Sequence, residues 1–308
     1  MARWLDRVEQ QSGGRITFER FWGGSLATVI EHLDLVNVGT IDVGVTQFGA
    51  HPAEIPLWGF ERIFPFGPPD PSLVAAALWT LWDEYPEFDQ LAAAQNQKLI
   101  FAQNWDTYNL ISFEPMVTLD DYKGKVVALW GVFMPKYFEA LGASGVATPA
   151  PDRYLHVKQK LVDASSMPSR ADVVYKLYEV AKHVTIIGFT AVMPFTVSFN
   201  LDKWNKFPPD LQKMMLDIGR EVSLDYGAFT KAQRVDALAE LKKQGCTFHE
   251  TSQEDMMEWA ELTKFIAIEW ADKMEGLGLP GYALARRYRE VVTKLGYEFP
   301  IERPDLVK

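Results

Sequence analysis

The stretch LDDYKGKVVALWGVFMPKYFEALGA, residues 119–143, decides how this chain is read. Asp120, Asp121, Lys123 and Gly124 make a turn, and VVAL is a short apolar run of strand type. PKYFEALGA has helical spacing, with Pro135 in its first turn and Gly142 at its end. Turn, strand, loop and helix in that order form the repeating unit of an α/β protein. No side chain here is an obvious catalytic group. Trp130 and Phe133 follow directly on the strand, and what they face is the question the stretch raises.

The same alternation runs outward in both directions. Upstream, a helix carrying Trp4, Leu5 and Val8 on one face stops at Gly13-Gly14. RITFERFW then reads as a strand, GGSLATVIEHLDLVNV as a helix capped near Gly39, and IDVGVTQ as a strand. Residues 71–95 have helical spacing and KLIFAQNW is a strand. Downstream, VATPA is a short extended piece, DRYLHVKQKL and SRADVVYKLYEVA are helices, and HVTIIGFTAVMPFTVSFN is one long strand or two short ones. PPDLQKMMLDIGREVSLDYGAFTKAQRVDALAELKKQGC reads as one long helix from Pro208 to Gly245. At 1.5 Å per residue it spans about 55 Å, enough to cross two domains. Gly219 and Gly227 offer it places to bend. TFHET is a short strand, and helical patterns at 252–275 and 282–295 close the chain.

Bulk properties narrow the function classes. At 308 residues the chain suggests two domains. A net charge of −10 argues against nucleic acid or an anionic membrane as the main partner. The single cysteine, Cys246, excludes an internal disulfide, and no Cys/His cluster has zinc spacing. The apolar run VTIIGFTAVMPF is too short to cross a bilayer and is interrupted by Pro194.

Catalytic signatures are missing. His32, His51, His156, His183 and His249 are scattered, without metal-ligand spacing. There is no G-x-S-x-G, Walker A or G-x-G-x-x-G pattern, and WGGSL lacks the Lys of a phosphate loop. Asp120-Asp121 and Glu250–Glu254 fall where acids cap helices. Nothing fixes His51, Asp106 and Ser112 as a triad. No cofactor and no enzymatic activity are expected. The aromatic residues say more. Trp58, Trp105, Tyr108, Trp130 and Phe133 lie near strand ends, where open α/β sheets bind ligands. Core packing is the better explanation of any single one of them, and only as a group do they point as much to a pocket.

The order of motifs resembles the substrate-binding subunit of tripartite ATP-independent periplasmic (TRAP) transporters, the DctP-like family. SGGRITFERFWGGSL, LVNVGTIDVGV and IFPF carry the resemblance, with LDDYKGKVV, FEALGA, DRYLHVKQKLVDA, KLYEVAKHVT and SFNLDKWNKFPPDLQKMMLDIG after them. It covers roughly residues 1–250, through the ordered set rather than any one motif. It implies a two-lobed periplasmic-binding-protein fold with a long lobe-crossing helix. Lobe I is 1–113, completed by about 198–238; lobe II is 114–197, completed by about 239–300. A small organic ligand is closed between lobes by a hinge motion and handed to TRAP membrane permease subunits in the periplasm. The family has a signal peptide, a first strand and a ligand-contacting loop ahead of the helix where this chain begins. The expectation is therefore that the first strand of lobe I is missing.

The departures from the family pattern concern the ligand. Members usually carry an Arg in the strand after K-G-x-K, where its guanidinium grips a ligand carboxylate from two sides. That position is Ala128. A second basic position used by some members aligns with Tyr108. A frequent Asn aligns with Met167, the Gly before it is Ala164, and a polar contact of the first lobe aligns with Gln47. The resemblance then implies a more apolar, aromatic site, with Gln47, Trp105, Tyr108, Ala128, Trp130, Phe133, Met167 and Arg170 as candidate ligand contacts. Arg153 and Arg170 are the cations nearest to it, and Arg170 lies in the first turn of the helix after Pro168. An orphan ligand sensor of the same fold and an unrecognised α/β enzyme are the alternatives.

Overall fold

The computed structural model describes residues 1–306. Its strands are β1 Val43–Thr46, β2 Gln97–Trp105, β3 Asn109–Ser112, β4 Val126–Leu129, β5 Ser144–Ala147, β6 Ala164–Met167, β7 His183–Ile186, β8 Val192–Asn200 and β9 Thr247–Glu250. They make two sheets, and helices fill most of the remaining chain, so the α/β class is borne out. The chain divides into two compact units. Unit 1 is Met1–Gly59, Ala75–Asn104 and Met193–Ala228; unit 2 is Phe60–Val74, Trp105–Val192 and Phe229–Lys308.

Unit 1 is built on a three-stranded sheet in the order β1-β8-β2. β1 and β8 are antiparallel, with Val43 opposite Phe199 and Thr46 opposite Thr196. The helix Ala2–Gln11 buries Trp4, Leu5 and Val8, and stops where Gly13 and Gly14 take positive φ. Trp4 lies in a core with Phe101, Phe199, Met215 and Ile218, and its indole N–H donates to the Met215 carbonyl at 3.0 Å. A buried indole needs such a partner, because leaving its N–H unpaired would cost about 1–3 kcal/mol.

Several expected elements differ, among them the helix expected over 169–181, which ends at Val174. Residues 17–22 form no strand. Side chains of the first helix hold this segment instead: Glu9 accepts from the Phe18 N–H at 2.9 Å, and Arg20 pairs with Asp6 and Glu9. An extended segment becomes a strand only when a neighbour supplies the matching backbone groups. The helix expected to lead up to Gly39 shrinks to His32–Asn37. The helical pattern over 71–95 is two helices, Pro71–Glu84 and Glu87–Ala94, broken at Pro86.

Unit 2 carries a six-stranded mixed sheet in the order β5-β4-β6-β3-β7-β9. β4 lies parallel to β5 and β6, β3 antiparallel to β6 and β7, and β7 parallel to β9. Alternation along the strands explains the two apolar layers. Val127 and Leu129 of β4 join Leu110, Phe138, Phe189 and Trp259 on one face. Ala128 points the other way, into a layer with Ile111, Val157, Met167, Val184 and Leu241.

The long helix is continuous over Pro209–Lys243, 35 residues. Leu211, Met215, Ile218 and Val222 belong to the core of unit 1, and Leu241 to a core of unit 2. Gly219 serves close packing rather than bending: a Cβ there would meet the Ile100 carbonyl at 2.8 Å. No helix among the described residues is long and apolar enough to cross a membrane.

Candidate ligand site

In unit 2 the chain leaves β4 at Leu129 and turns through Trp130, Gly131 and Val132 before the helix Met134–Glu139 begins. Gly131 has φ +73°, a conformation costly for any residue with a Cβ, and it lets the loop turn at once. Trp130, Phe133 and Tyr137 thereby face one cavity with Tyr108, Arg62, Phe189, Thr190 and Val192. The cavity has about 20 Å³ of free interior, room for about one water molecule, and is partly open to solvent.

The walls are held by contacts that leave little freedom. The Tyr137 hydroxyl donates to the Arg62 carbonyl, and the Trp259 indole donates to the Tyr137 carbonyl at 2.7 Å. Phe189 packs edge-on against Trp259 and Phe138, with ring centroids at 5.0 and 5.9 Å. The segment before the cavity's floor is strapped to residues 65–68: Thr190 N–H donates to the Pro65 carbonyl at 2.7 Å and Ala191 N–H to the Pro68 carbonyl at 2.8 Å. A Cβ on Gly67 would come within 2.8 Å of the Thr190 hydroxyl oxygen, so this approach requires glycine.

Three candidate residues thus meet: Tyr108, Trp130 and Phe133 line the same cavity. Others lie elsewhere. Ala128 and Met167 are packed in the apolar layer on the opposite face of the sheet, which removes them from this cavity. Arg170 is exposed near the start of the short helix Ser169–Val174. Trp105, at the end of β2, is 36% exposed and does not line the cavity. Gln47 is buried in unit 1, just past β1. Trp58 is a core residue of unit 1, edge-on to Phe48 and Phe88, with its N–H on the Met193 carbonyl.

Sequence reasoning missed Arg62, Tyr137, Phe189 and Thr190. Arg62 had one visible signal: it is the only base in the run FERIFPF, where Glu61 is the only other charged residue.

Arg153 turns out to be structural. It is 1% exposed, and its Nε donates to the Thr148 carbonyl at 3.0 Å. Its Nη1 reaches the Ala128 carbonyl at 3.2 Å, the Ser165 hydroxyl at 3.2 Å and the Ser166 carbonyl at 2.6 Å. Burial lowers its pKa to about 10. Asp172, fully buried, has no hydrogen-bond partner on either oxygen among the described residues. Burial pushes its carboxyl well above the ordinary range, against the opposing pull of Arg153. Burial also raises the Tyr108 phenol, opposed by the nearby guanidinium charges of Arg62 and Arg153. Tyr108 therefore lies within electrostatic reach of two cations.

Of the acids expected to cap helices, Asp121 forms a reciprocal capping box with Thr118 over Leu119–Tyr122, whereas Glu250 ends β9 and Ser252 caps the helix Gln253–Leu262. Among the described residues no group of three His, Cys, Asp or Glu side chains is placed to hold a metal ion.

A family model described as bacterial extracellular solute-binding protein, family 7, matches residues 1–273. The chain belongs to that family. The resemblance carried by the motif order is therefore borne out, and the family is one of solute-binding proteins rather than enzymes. The chain is similar to a solute-binding protein of Albidiferax ferrireducens, 22% identical over 272 residues, spanning 86% of this chain and 78% of that one. Its fold is that of a TRAP periplasmic solute-binding protein from Desulfovibrio salexigens, with a TM-score of 0.85 at 24% identity, covering 99% of this chain and 93% of that one. It is also similar to a marine-metagenome TRAP solute-binding protein specific for aromatic acid ligands, in complex with metahydroxyphenylacetate. There the TM-score is 0.80 at 20% identity, over 96% of this chain and 93% of that one.

Proposed function

We propose that this chain is the periplasmic solute receptor of a TRAP-type secondary transporter. It binds a small organic molecule with an aromatic or apolar body and passes it to the membrane permease subunits. The observation that carries this reading is the cavity walled by Tyr108, Trp130, Phe133, Tyr137 and Phe189. Ring faces and edges of that kind favour another flat ring by offset or edge-on stacking. The aromatic-acid ligand of a structural neighbour supports the same class. Gln47, Trp105 and Arg170 remain proposals as ligand contacts. Ala128 supplies no guanidinium, so its position offers no grip for a carboxylate.

Calorimetry over a panel of aromatic acids, aromatic amides and C4-dicarboxylates tests the reading. An aromatic compound should bind best, and Trp130→Ala should weaken it by about 1–3 kcal/mol, the range for a lost aromatic contact. Tight succinate binding, with Trp130→Ala without effect, would overturn it.

A further inference from the structure

The five histidines are far apart in the sequence, and the fold brings two of them together. β7 and β9 run parallel, with His183 opposite Thr247 and Thr185 opposite His249. Residues paired across neighbouring strands point to the same face, so His183, Thr185, Thr247 and His249 share one face. Val184 and Phe248 point the other way, into the apolar layer with Leu241. His183 Nδ1 and His249 Nε2 lie 3.0 Å apart. The ring centroids are 5.3 Å apart, wider than the nitrogen separation by about two ring radii, so the rings meet edge to edge. Both side chains are half-buried, and β9 is the outermost strand of its sheet. Two imidazole nitrogens thus converge where solvent reaches them. The polar groups around them are engaged elsewhere. The Thr185 hydroxyl donates to the Met116 carbonyl at 2.8 Å, and Ser112, opposite His183 on β3, donates to the Glu114 carbonyl at 2.6 Å.

We propose that His183 and His249 form a chelate site for a divalent transition-metal ion of the copper or nickel type. Imidazole nitrogen is a common ligand of such ions. At metal–nitrogen distances of about 2.0–2.1 Å, nitrogens 3.0 Å apart subtend about 95° at the ion. That is the angle between adjacent ligands in square-planar or tetragonal coordination, the geometry of Cu²⁺ and Ni²⁺. A tetrahedral ion would need the nitrogens about 3.3–3.4 Å apart, so Zn²⁺ fits less well. Each ring turns outward by a few tens of degrees to aim its lone pair at the shared ion. The proton held between the rings moves to the far nitrogen of the ring that carried it, because a neutral imidazole can protonate either one. Two imidazoles take two coordination positions and water takes the rest, since among the described residues no third His, Cys, Asp or Glu side chain is placed to join them. The chain's net charge of −10 favours a cation at its surface. The ion ties the edge strand β9 to β7, and the proposal does not rest on the receptor reading above.

The test is calorimetry on the full chain, stripped of metal and then titrated with Ni²⁺, Cu²⁺ or Zn²⁺. Wild type should bind one equivalent of Ni²⁺ and of Cu²⁺, with Ni²⁺ no weaker than Zn²⁺. His183→Ala and His249→Ala should each weaken Ni²⁺ binding by about tenfold or more, since losing even a supporting partner of a ligand costs that much. His156→Ala removes a histidine elsewhere and should leave it unchanged. The electron paramagnetic resonance spectrum of bound Cu²⁺ should show two coupled imidazole nitrogens in wild type and one in either variant. The wild-type stoichiometry and spectrum need no variant, so a variant that fails to fold leaves the proposal open to refutation. No stoichiometric Ni²⁺ binding by wild type, a Cu²⁺ spectrum with a single nitrogen, or an unchanged Ni²⁺ affinity in folded His249→Ala overturns the site. Zn²⁺ bound more tightly than Ni²⁺ overturns the assigned geometry and with it the metal class.

Discussion

Asp106 offers a stability prediction whose sign follows from burial. It is 4% exposed and lies two residues before Tyr108, between β2 and β3. Its Oδ1 accepts the Thr107 N–H at 2.8 Å, Arg234 stands 3.7 Å away, and Oδ2 has no hydrogen-bond partner among the described residues. Burial outweighs the Arg234 charge and the Thr107 hydrogen bond, and pushes the carboxyl from 3.8 up to about 6. Between those two values the folded protein holds a proton that the unfolded chain has released. The folded state therefore loses stability as pH rises through that window, and the loss is complete above about pH 6. The full shift corresponds to roughly 3 kcal/mol, of which about 2 kcal/mol falls between pH 4.5 and 7.5. Asp106→Asn removes this titration while keeping an acceptor for Thr107. Measured by urea denaturation, the variant's stability relative to wild type should rise by about 2 kcal/mol between pH 4.5 and 7.5. A relative stability that stays flat, or falls, would mean that Arg234 holds Asp106 as an ordinary ionised carboxylate, and the burial argument would fail.

Two further outcomes follow from packing. Gly219→Ala should gain about 1 kcal/mol of helix propensity but lose about 1–3 kcal/mol to overpacking, because the new Cβ would meet the Ile100 carbonyl at 2.8 Å. A net gain in denaturation midpoint would show that β2 yields to it. Trp259→Ala should cost about 3–5 kcal/mol, since the side chain is fully buried and its indole holds the Tyr137 carbonyl at 2.7 Å. It should also weaken ligand binding by loosening the cavity wall, and unaltered calorimetry in a destabilised variant would refute that link.

Much of the fold was legible because it rests on local patterns. VVAL alternates between two apolar layers, the first helix carries its buried stripe in Trp4, Leu5 and Val8, and the long helix is bounded by proline and glycine. The errors came where a contact outside the element's own pattern decides. Residues 17–22 have the composition of a strand, yet side chains of the first helix hold them. His183 and His249 meet at 3.0 Å only because β7 and β9 pair in register. The break at Pro86 is the exception, since a local rule would have caught it. Trp130 and Phe133 were readable because they follow a strand end. Phe189 and Thr190 were not, because their place beside residues 65–68 depends on backbone hydrogen bonds spanning more than a hundred residues of sequence.

The missing guanidinium at Ala128 shows how little a residue type at one position decides about charge in a site. Ala128 lies in the layer facing away from the cavity, and its carbonyl is occupied by Arg153, which enters from the helix Arg153–Lys158. Charge is thus supplied to the ends of β4 and β6 from a different element, but it is consumed there by Ser165, Ser166 and Thr148. The other buried cation, Arg62, comes from a third place, the short helix Phe60–Ile63, where it is paired with the equally buried Glu61 carboxylate at 3.4 Å. A sequence reading counts the arginines, whereas what each can bind depends on the acceptors that fold around it. For that reason exchanging Ala128 for Arg should not restore dicarboxylate binding: the added side chain would enter the apolar layer with Ile111, Met167 and Val184. A charge buried there without a partner costs several kcal/mol, and the variant should lose stability without gaining affinity for succinate.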